Sequence, residues 1–252
     1  MAKKRTQNRK RKWHDSWWFL IVFCILLPLI FRSVAWAPFH IPSGSMKSTL
    51  LIGDYLLVNK HSYGINRHSF PFGGYIPYMS GVAAAKEPKR GDIIVFRPPK
   101  IKGMDYIKRL VGMPGDVVQM KQNELYINNI KVPRVEIEPY IDDITGEQIP
   151  QYIETLPGGT KHRILDHGPN HSVDNTLPFK VPAGHYFMMG DNRDRSTDSR
   201  FMNHVGFIPK ENLLGTPSKI GFSFRERYLK FWLWFTHFRG ERFWEDVPRG
   251  EG

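Results

Sequence analysis

One cysteine, Cys24, is the whole thiol content of this 252-residue chain. That excludes an internal disulfide framework and any multi-cysteine zinc or iron–sulfur site. Because Cys24 lies inside an apolar run, it says nothing about redox compartment. The sequence also lacks a G-x-S-x-G elbow, an H-E-x-x-H pair, a P-loop and a G-x-G-x-x-G turn. Lipase-type hydrolysis, zinc proteolysis and nucleotide binding thereby lose their usual signatures. Ten histidines occur, and no metal and no cofactor is expected. Acids are missing from the start, where Lys3, Lys4, Arg5, Arg9, Lys10, Arg11 and Lys12 precede the first of them. Those 7 of the 36 basic residues supply most of the net charge of +12, and the other 29 against 24 acids leave only +5. A charge gathered in one terminal segment without a recognition motif gives no reason to expect nucleic acid as a partner. What is present is 41% apolar, 13% aromatic and 24% charged, a globular composition rather than a disordered, collagenous or coiled-coil one.

From Trp17 to Phe31 fifteen residues run without a polar side chain, counting Pro28. Behind a cationic start, that is the layout of a targeting or membrane segment. Fifteen helical residues reach about 22 Å against a hydrocarbon core of roughly 30 Å. Extending the span to Trp13–Trp36 repairs the length, with Arg32 snorkelling to the far headgroups. Trp13, Trp17, Trp18 and Trp36 then mark the two interfaces, and the positive-inside rule puts 1–12 in the cytoplasm. Everything after about residue 37 falls on the outer side. A removable signal peptide is the competing reading, since Ala35-Trp36-Ala37 fits the small-x-small cleavage pattern. Pro38 opposes it, because cleavage after Ala37 would break a tertiary amide in a stiffened backbone. A retained single-pass anchor at 13–36 is expected.

Beyond the anchor, short stretches rich in Val, Ile, Phe and Tyr are punctuated by Gly, Pro and Asn, which reads as strand. Strands are expected at Tyr55–Asn59, Ile93–Phe96, Asp105–Val111, Asp116–Met120, Leu125–Ile127, Gln151–Thr155, Lys161–Leu165, Tyr186–Met189 and Lys219–Phe224. The main β domain takes 37–127 and 183–224. Within it 61–90 is a loop or β-ribbon whose aromatics either touch a membrane or pack under the loop. Residues 128–182 read as an inserted subdomain. The tail, 225–252, carries aromatics and arginines suited either to a membrane surface or to packing on the β domain.

Three runs carry chemistry. Pro42-Ser43-Gly44-Ser45-Met46 forms a bend that can present a hydroxyl, or is plain linker chemistry. In Asp105-Tyr106-Ile107-Lys108-Arg109-Leu110-Val111, strand alternation puts Lys108 on one face with Tyr106 and Leu110, and Arg109 on the other. Lys108 is either a snorkelling edge residue or a desolvated amine whose pKa falls from about 10.4 toward neutrality, fit to activate a serine. Gly190-Asp191-Asn192-Arg193-Asp194-Arg195-Ser196-Thr197-Asp198-Ser199-Arg200 lacks the calcium-loop spacing and reads as a salt-bridged loop that fixes its neighbours, or as a polar turn.

In this order behind an anchor, these runs together with Arg90-Gly91-Asp92-Ile93-Ile94-Val95-Phe96 and Lys108–Asp116 resemble bacterial type I signal peptidase, the leader peptidase of the Ser/Lys-dyad class, over about residues 17–224. The resemblance implies a mainly β fold of antiparallel sheets, with a catalytic β domain, a smaller inserted β subdomain and one N-terminal transmembrane helix. It implies Ser45 as nucleophile, Lys108 as general base, and the Ser43 hydroxyl with the Ser45 N–H as oxyanion hole. Ser196 is to orient the Lys108 amine, with Asp198 and Arg200 as a supporting ion pair. Signal peptides of exported preproteins are the implied substrates, the lipid bilayer the other partner, and the outer face of the bacterial inner membrane the place. Cleavage is to follow small-x-small sites, with Phe39, Ile41, Leu50 and Ile107 forming shallow pockets. Two departures stand out: Ser48 where the family usually has proline, and no cysteine in the inserted region. The alternatives are a Ser/Lys peptidase with one dedicated substrate, and a non-catalytic membrane-bound β module.

Overall fold

The structure, a computed structural model, describes residues 17–24, 36–64, 86–101, 103–169, 171–225, 237–248 and 250. The basic start, most of the expected anchor, most of the 61–90 excursion and the aromatic stretch 226–236 lie outside the described residues. Of the anchor, 17–24 is helical. Among the described residues no helix is long and apolar enough to cross a membrane.

Fifteen strands occur among the described residues. They are β1 (Trp36–His40), β2 (Asp54–Asn59), β3 (Ile93–Phe96), β4 (Tyr106–Gly112), β5 (Val117–Lys121), β6 (Glu124–Ile127), β7 (Ile130–Lys131), β8 (Arg134–Ile141), β9 (Gln148–Thr155), β10 (Lys161–Leu165), β11 (Phe179–Lys180), β12 (His185–Met189), β13 (Ile208–Pro209), β14 (Leu213–Ser223) and β15 (Glu245–Asp246). The main sheet runs β1-β2-β14-β3-β4-β12-β13, with β15 on β14, and two smaller sheets run β10-β9-β8 and β11-β5-β6-β7. Every pairing between these strands is antiparallel, so the fold is mainly β with antiparallel sheets. The three-stranded sheet falls wholly within 128–182. The four-stranded one straddles that boundary, because β5 and β6 precede it.

Each expected strand appears, and β1, β8 and the first half of β14, which were not expected, all contain a proline. β1 contains Pro38 and stands at the sheet edge, where a missing N–H costs no ladder bond. β8 is exposed along most of its length, and Pro139 falls where its register on β9 shifts, so the short alternation Val135-Glu136-Ile137-Glu138 is cut by a residue that usually breaks a strand. β14 begins six residues before the expected Lys219 because Gly215 and Pro217 are absorbed at register shifts.

The core divides by strand alternation. Ile93 and Val95 of β3 pack with Ile41, Met46, Leu50, Leu56, Val58 and Ile220, while Ile94 and Phe96 pack with Leu110, Tyr186 and Met188. The described part of the tail lies on β14, where Phe238 and Phe243 meet the rings of Phe224 and Phe222. Phe243 and Trp244 nonetheless stay half exposed.

Candidate active site

Residues 44–46 make a single 3-10 turn between β1 and β2, entered from an extended Ser43. The turn is clasped from behind. The Asn192 N–H donates to the Ser45 carbonyl at 3.1 Å, and the Asn192 amide donates to the Gly44 carbonyl at 3.0 Å. Lys47, itself buried, reaches across to Asp142 at 2.5 Å. Burial pushes the Asp142 carboxyl up, but the Lys47 ammonium and the Ile144 and Thr145 N–H groups outweigh it and hold its pKa at about 2. Together these bonds turn a Pro-Ser-Gly-Ser sequence with linker-like composition into a fixed bend.

The bend holds Ser45 against β4. Lys108 lies opposite Ile94 on β3, only 4% exposed, and its Nζ donates to Ser45 Oγ. The snorkelling alternative is thereby gone. Burial lowers the Lys108 pKa to about 8, helped by the Arg200 charge and opposed by the Asp198 and Asp191 carboxylates. Ser43 Oγ stands 3.4 Å from Ser45 Oγ, and the two hydroxyls open onto the same groove. Its volume is about 430 Å³, and Phe39, Ile41, Tyr106 and Ile107 give it apolar walls.

The Gly190–Arg200 loop completes the site from the far side. Arg200 grips Asp198 with two bonds of 2.8 Å, and the Ser196 hydroxyl donates to Asp198 at 2.7 Å. The Ser196 hydroxyl proton thus goes to Asp198, and Ser196 is tied to the site through that carboxylate. Gly190 is required where it stands. A Cβ there would come within 2.5 Å of the Ser45 carbonyl oxygen and 2.6 Å of Ser196 Cβ. Leu50 is the expected site residue that lies elsewhere: wholly buried in the core with Ile41 and Met46, it is not on the groove wall.

Several functional neighbours escaped sequence reasoning. Arg109, on the opposite face of β4 from Lys108, is pinned by Asp191 at 2.8 and 2.7 Å and by the Gly91 carbonyl at 2.8 Å. Thr49 donates to the same Asp191 at 2.5 Å. Deeper still, Arg193 forks onto Glu154 of β9. The one available signal was the excess of paired opposite charges in 190–200. It shows that pairing occurs, and leaves open with which strand. Among the described residues no cluster of His, Cys, Asp and Glu is arranged to hold a metal ion.

A hydroxyl on a fixed turn, a buried lysine in contact with it and an ion-paired loop behind them are what the resemblance required. The match to the family described as "Signal peptidase, peptidase S26" covers residues 14–221. This chain belongs to that family. It is a serine endopeptidase of the signal peptidase I type. The Signal peptidase I of Rickettsia typhi (strain ATCC VR-144 / Wilmington) is 41% identical over 229 residues, which is 88% of this chain and 85% of that protein. That of Rickettsia prowazekii (strain Madrid E) is 42% identical over 207 residues, 80% of this chain and 77% of that protein. A solved signal peptidase I from Enterococcus faecalis V583 is 28% identical with a TM-score of 0.31, covering 52% of this chain and 97% of that one.

Proposed function

We propose that this chain removes N-terminal signal peptides from exported preproteins by acyl transfer through Ser45, with Lys108 as the only general base. The observation that carries this is the buried Lys108 amine in hydrogen-bond contact with the Ser45 hydroxyl on the groove floor. In the neutral amine the nitrogen lone pair accepts the Ser45 proton as Oγ attacks the scissile carbonyl. The oxyanion so formed is stabilised by the Ser43 hydroxyl and the Ser45 N–H, donors fixed before the reaction by the clasped turn. The Lys108 ammonium then gives its proton to the nitrogen of the departing mature chain, leaving an acyl-enzyme on Ser45. Water attacks that ester, its proton passes to Lys108, and Ser45 Oγ leaves reprotonated. Asp198, held by Arg200 and Ser196, sets the field in which the amine shuttles between its two states.

Selectivity follows from the groove. A signal peptide extended along it finds main-chain partners whatever its sequence, so discrimination falls to the pockets beneath alternate side chains. Phe39, Ile41 and Ile107 leave room for small residues and clash with larger ones. The segment 13–36 anchors the chain in the bacterial inner membrane as one transmembrane helix, with 1–12 cytoplasmic and the β domain at the outer face. Residues 128–182 form a subdomain that braces the 190–200 loop. The test is to incubate the purified protein in detergent with several unrelated preproteins and weigh the products. Cleavage of most of them after small-x-small sites is expected, while cleavage of a single one would mean a dedicated processing enzyme.

A further inference from the structure

A second cavity, of about 320 Å³, opens at the edge of β10 and runs in behind the nucleophile turn, with Ser48, Thr49, Arg109, Lys161, His162 and Arg163 in its wall. That volume sits at the low end for small-ligand sites. Its chemistry is unfinished. Ser48 Oγ and both ring nitrogens of His162 are shielded and have no hydrogen-bond partner, although His162 is only 6% exposed. Buried polar groups left unpaired lose their hydration without compensation, so the wall holds donors in wait of an acceptor. The nearest carboxylates do not serve. Glu154 Oε2 lies 3.4 Å and Asp191 Oδ1 4.0 Å from His162 Nε2, neither in hydrogen-bonding geometry, and both are committed to Arg193 and Arg109.

The charge is one-sided as well. Glu154 and Asp191 are neutralised by those arginines, whereas Lys161 and Arg163 stand at the mouth with no acid paired to either among the described residues. We propose that this cavity binds a phosphate-type oxyanion, drawn in by Lys161 and Arg163 and received inside by the Ser48 hydroxyl and a His162 ring N–H. Burial, with the Arg109 charge, lowers the His162 pKa to about 4. The ring is therefore neutral near pH 7, with one N–H to donate. Ser48 supplies a donor here that the proline usual at that position in the family could not. Occupancy would also brace Ser48 and Thr49, three and four residues beyond Ser45, and so stiffen the turn that carries the nucleophile.

Calorimetric titration of the full chain in detergent tests this at constant ionic strength, with chloride as the control anion. One arm adds inorganic phosphate. The other adds short-chain phosphatidylglycerol, with phosphatidylcholine as its neutral reference. Saturable one-site binding is expected in at least one arm, and which arm responds tells a free ion from an anionic headgroup. Binding should disappear in Lys161→Ala/Arg163→Ala and weaken about tenfold in Ser48→Ala, the value of one hydrogen bond to a charged group. It should be unaffected in Lys180→Ala, an exposed lysine on β11. No saturable binding in either arm would show a cavity that holds water only, binding indifferent to Ser48→Ala would place the anion elsewhere, and either result would overturn the proposal.

Discussion

Lys108 is the residue on which the chemistry turns, and its environment sets both activity and stability. Only the free amine accepts the Ser45 proton, and its pKa is about 8. Cleavage rate is thus expected to rise with pH and to pass half its maximum near pH 8, as read from the kcat/KM profile on a preprotein. Stability responds to the same titration and in the same direction. The native pKa lies below the unfolded value of 10.5, so between about 8 and 10.5 the unfolded chain binds more protons, and stability rises with pH through that window. Below it the full penalty is present, about 3 kcal/mol for the shift. Lys108→Met is expected to be inactive and at least as resistant to urea at pH 7 as the parent. A lower urea midpoint would mean that the hydrogen bond to Ser45 outweighs the burial cost. Ser45→Ala and Lys108→Ala should each reduce processing at least about 1,000-fold, and the double variant no further, because nucleophile and base act as a unit.

At the scale of elements, the site exists because a turn, a strand and a loop are locked to one another. Asp191 is the fastener: it takes Arg109 from β4 and Thr49 from behind the nucleophile turn. Asp191→Ala leaves the Arg109 guanidinium buried and unpaired, a change expected to cost about 3–5 kcal/mol, measurable by urea unfolding monitored by tryptophan fluorescence. Gly190→Ala tests the close approach. Its Cβ meets the Ser45 carbonyl oxygen and the Ser196 side chain, so kcat should fall at least about tenfold while secondary structure by circular dichroism stays unchanged. A parental kcat would place the slack in the 190–200 loop instead. On the groove wall Ile107 is only half buried, unlike Ile41, which makes Ile107→Ala the cleaner probe of selectivity. Product termini mapped by mass spectrometry should then include cuts after residues larger than alanine.

For the whole molecule, the anchor and the β domain are separate expectations with separate tests. Pro38 lies in β1, paired with Leu57, so cleavage after Ala37 would also have to reach an amide held in a sheet. Protein from native membranes is expected to retain its own N-terminus, and N-terminal sequencing that returned Pro38 would show the segment to be a removed signal. What the sequence by itself determined was local: short apolar, β-branched and aromatic runs such as β2, the bend at Ser45, Lys108 between apolar neighbours, and a loop crowded with opposite charges. Those features depend on local composition, on periods of two residues or on the chemistry of adjacent side chains, and all can be read along a line. Tertiary structure alone decided the rest. It buried Lys108 enough to bring its pKa near 8, drew it across 63 positions to Ser45, gave the Ser196 hydroxyl to Asp198, and sent Leu50 into the core. It also chose the partners of Arg109 and Arg193 from strands and loops far away in the chain. A pKa, an ion pair and a pocket wall depend on distances through space and on the exclusion of water, and a sequence carries neither until the sheets close.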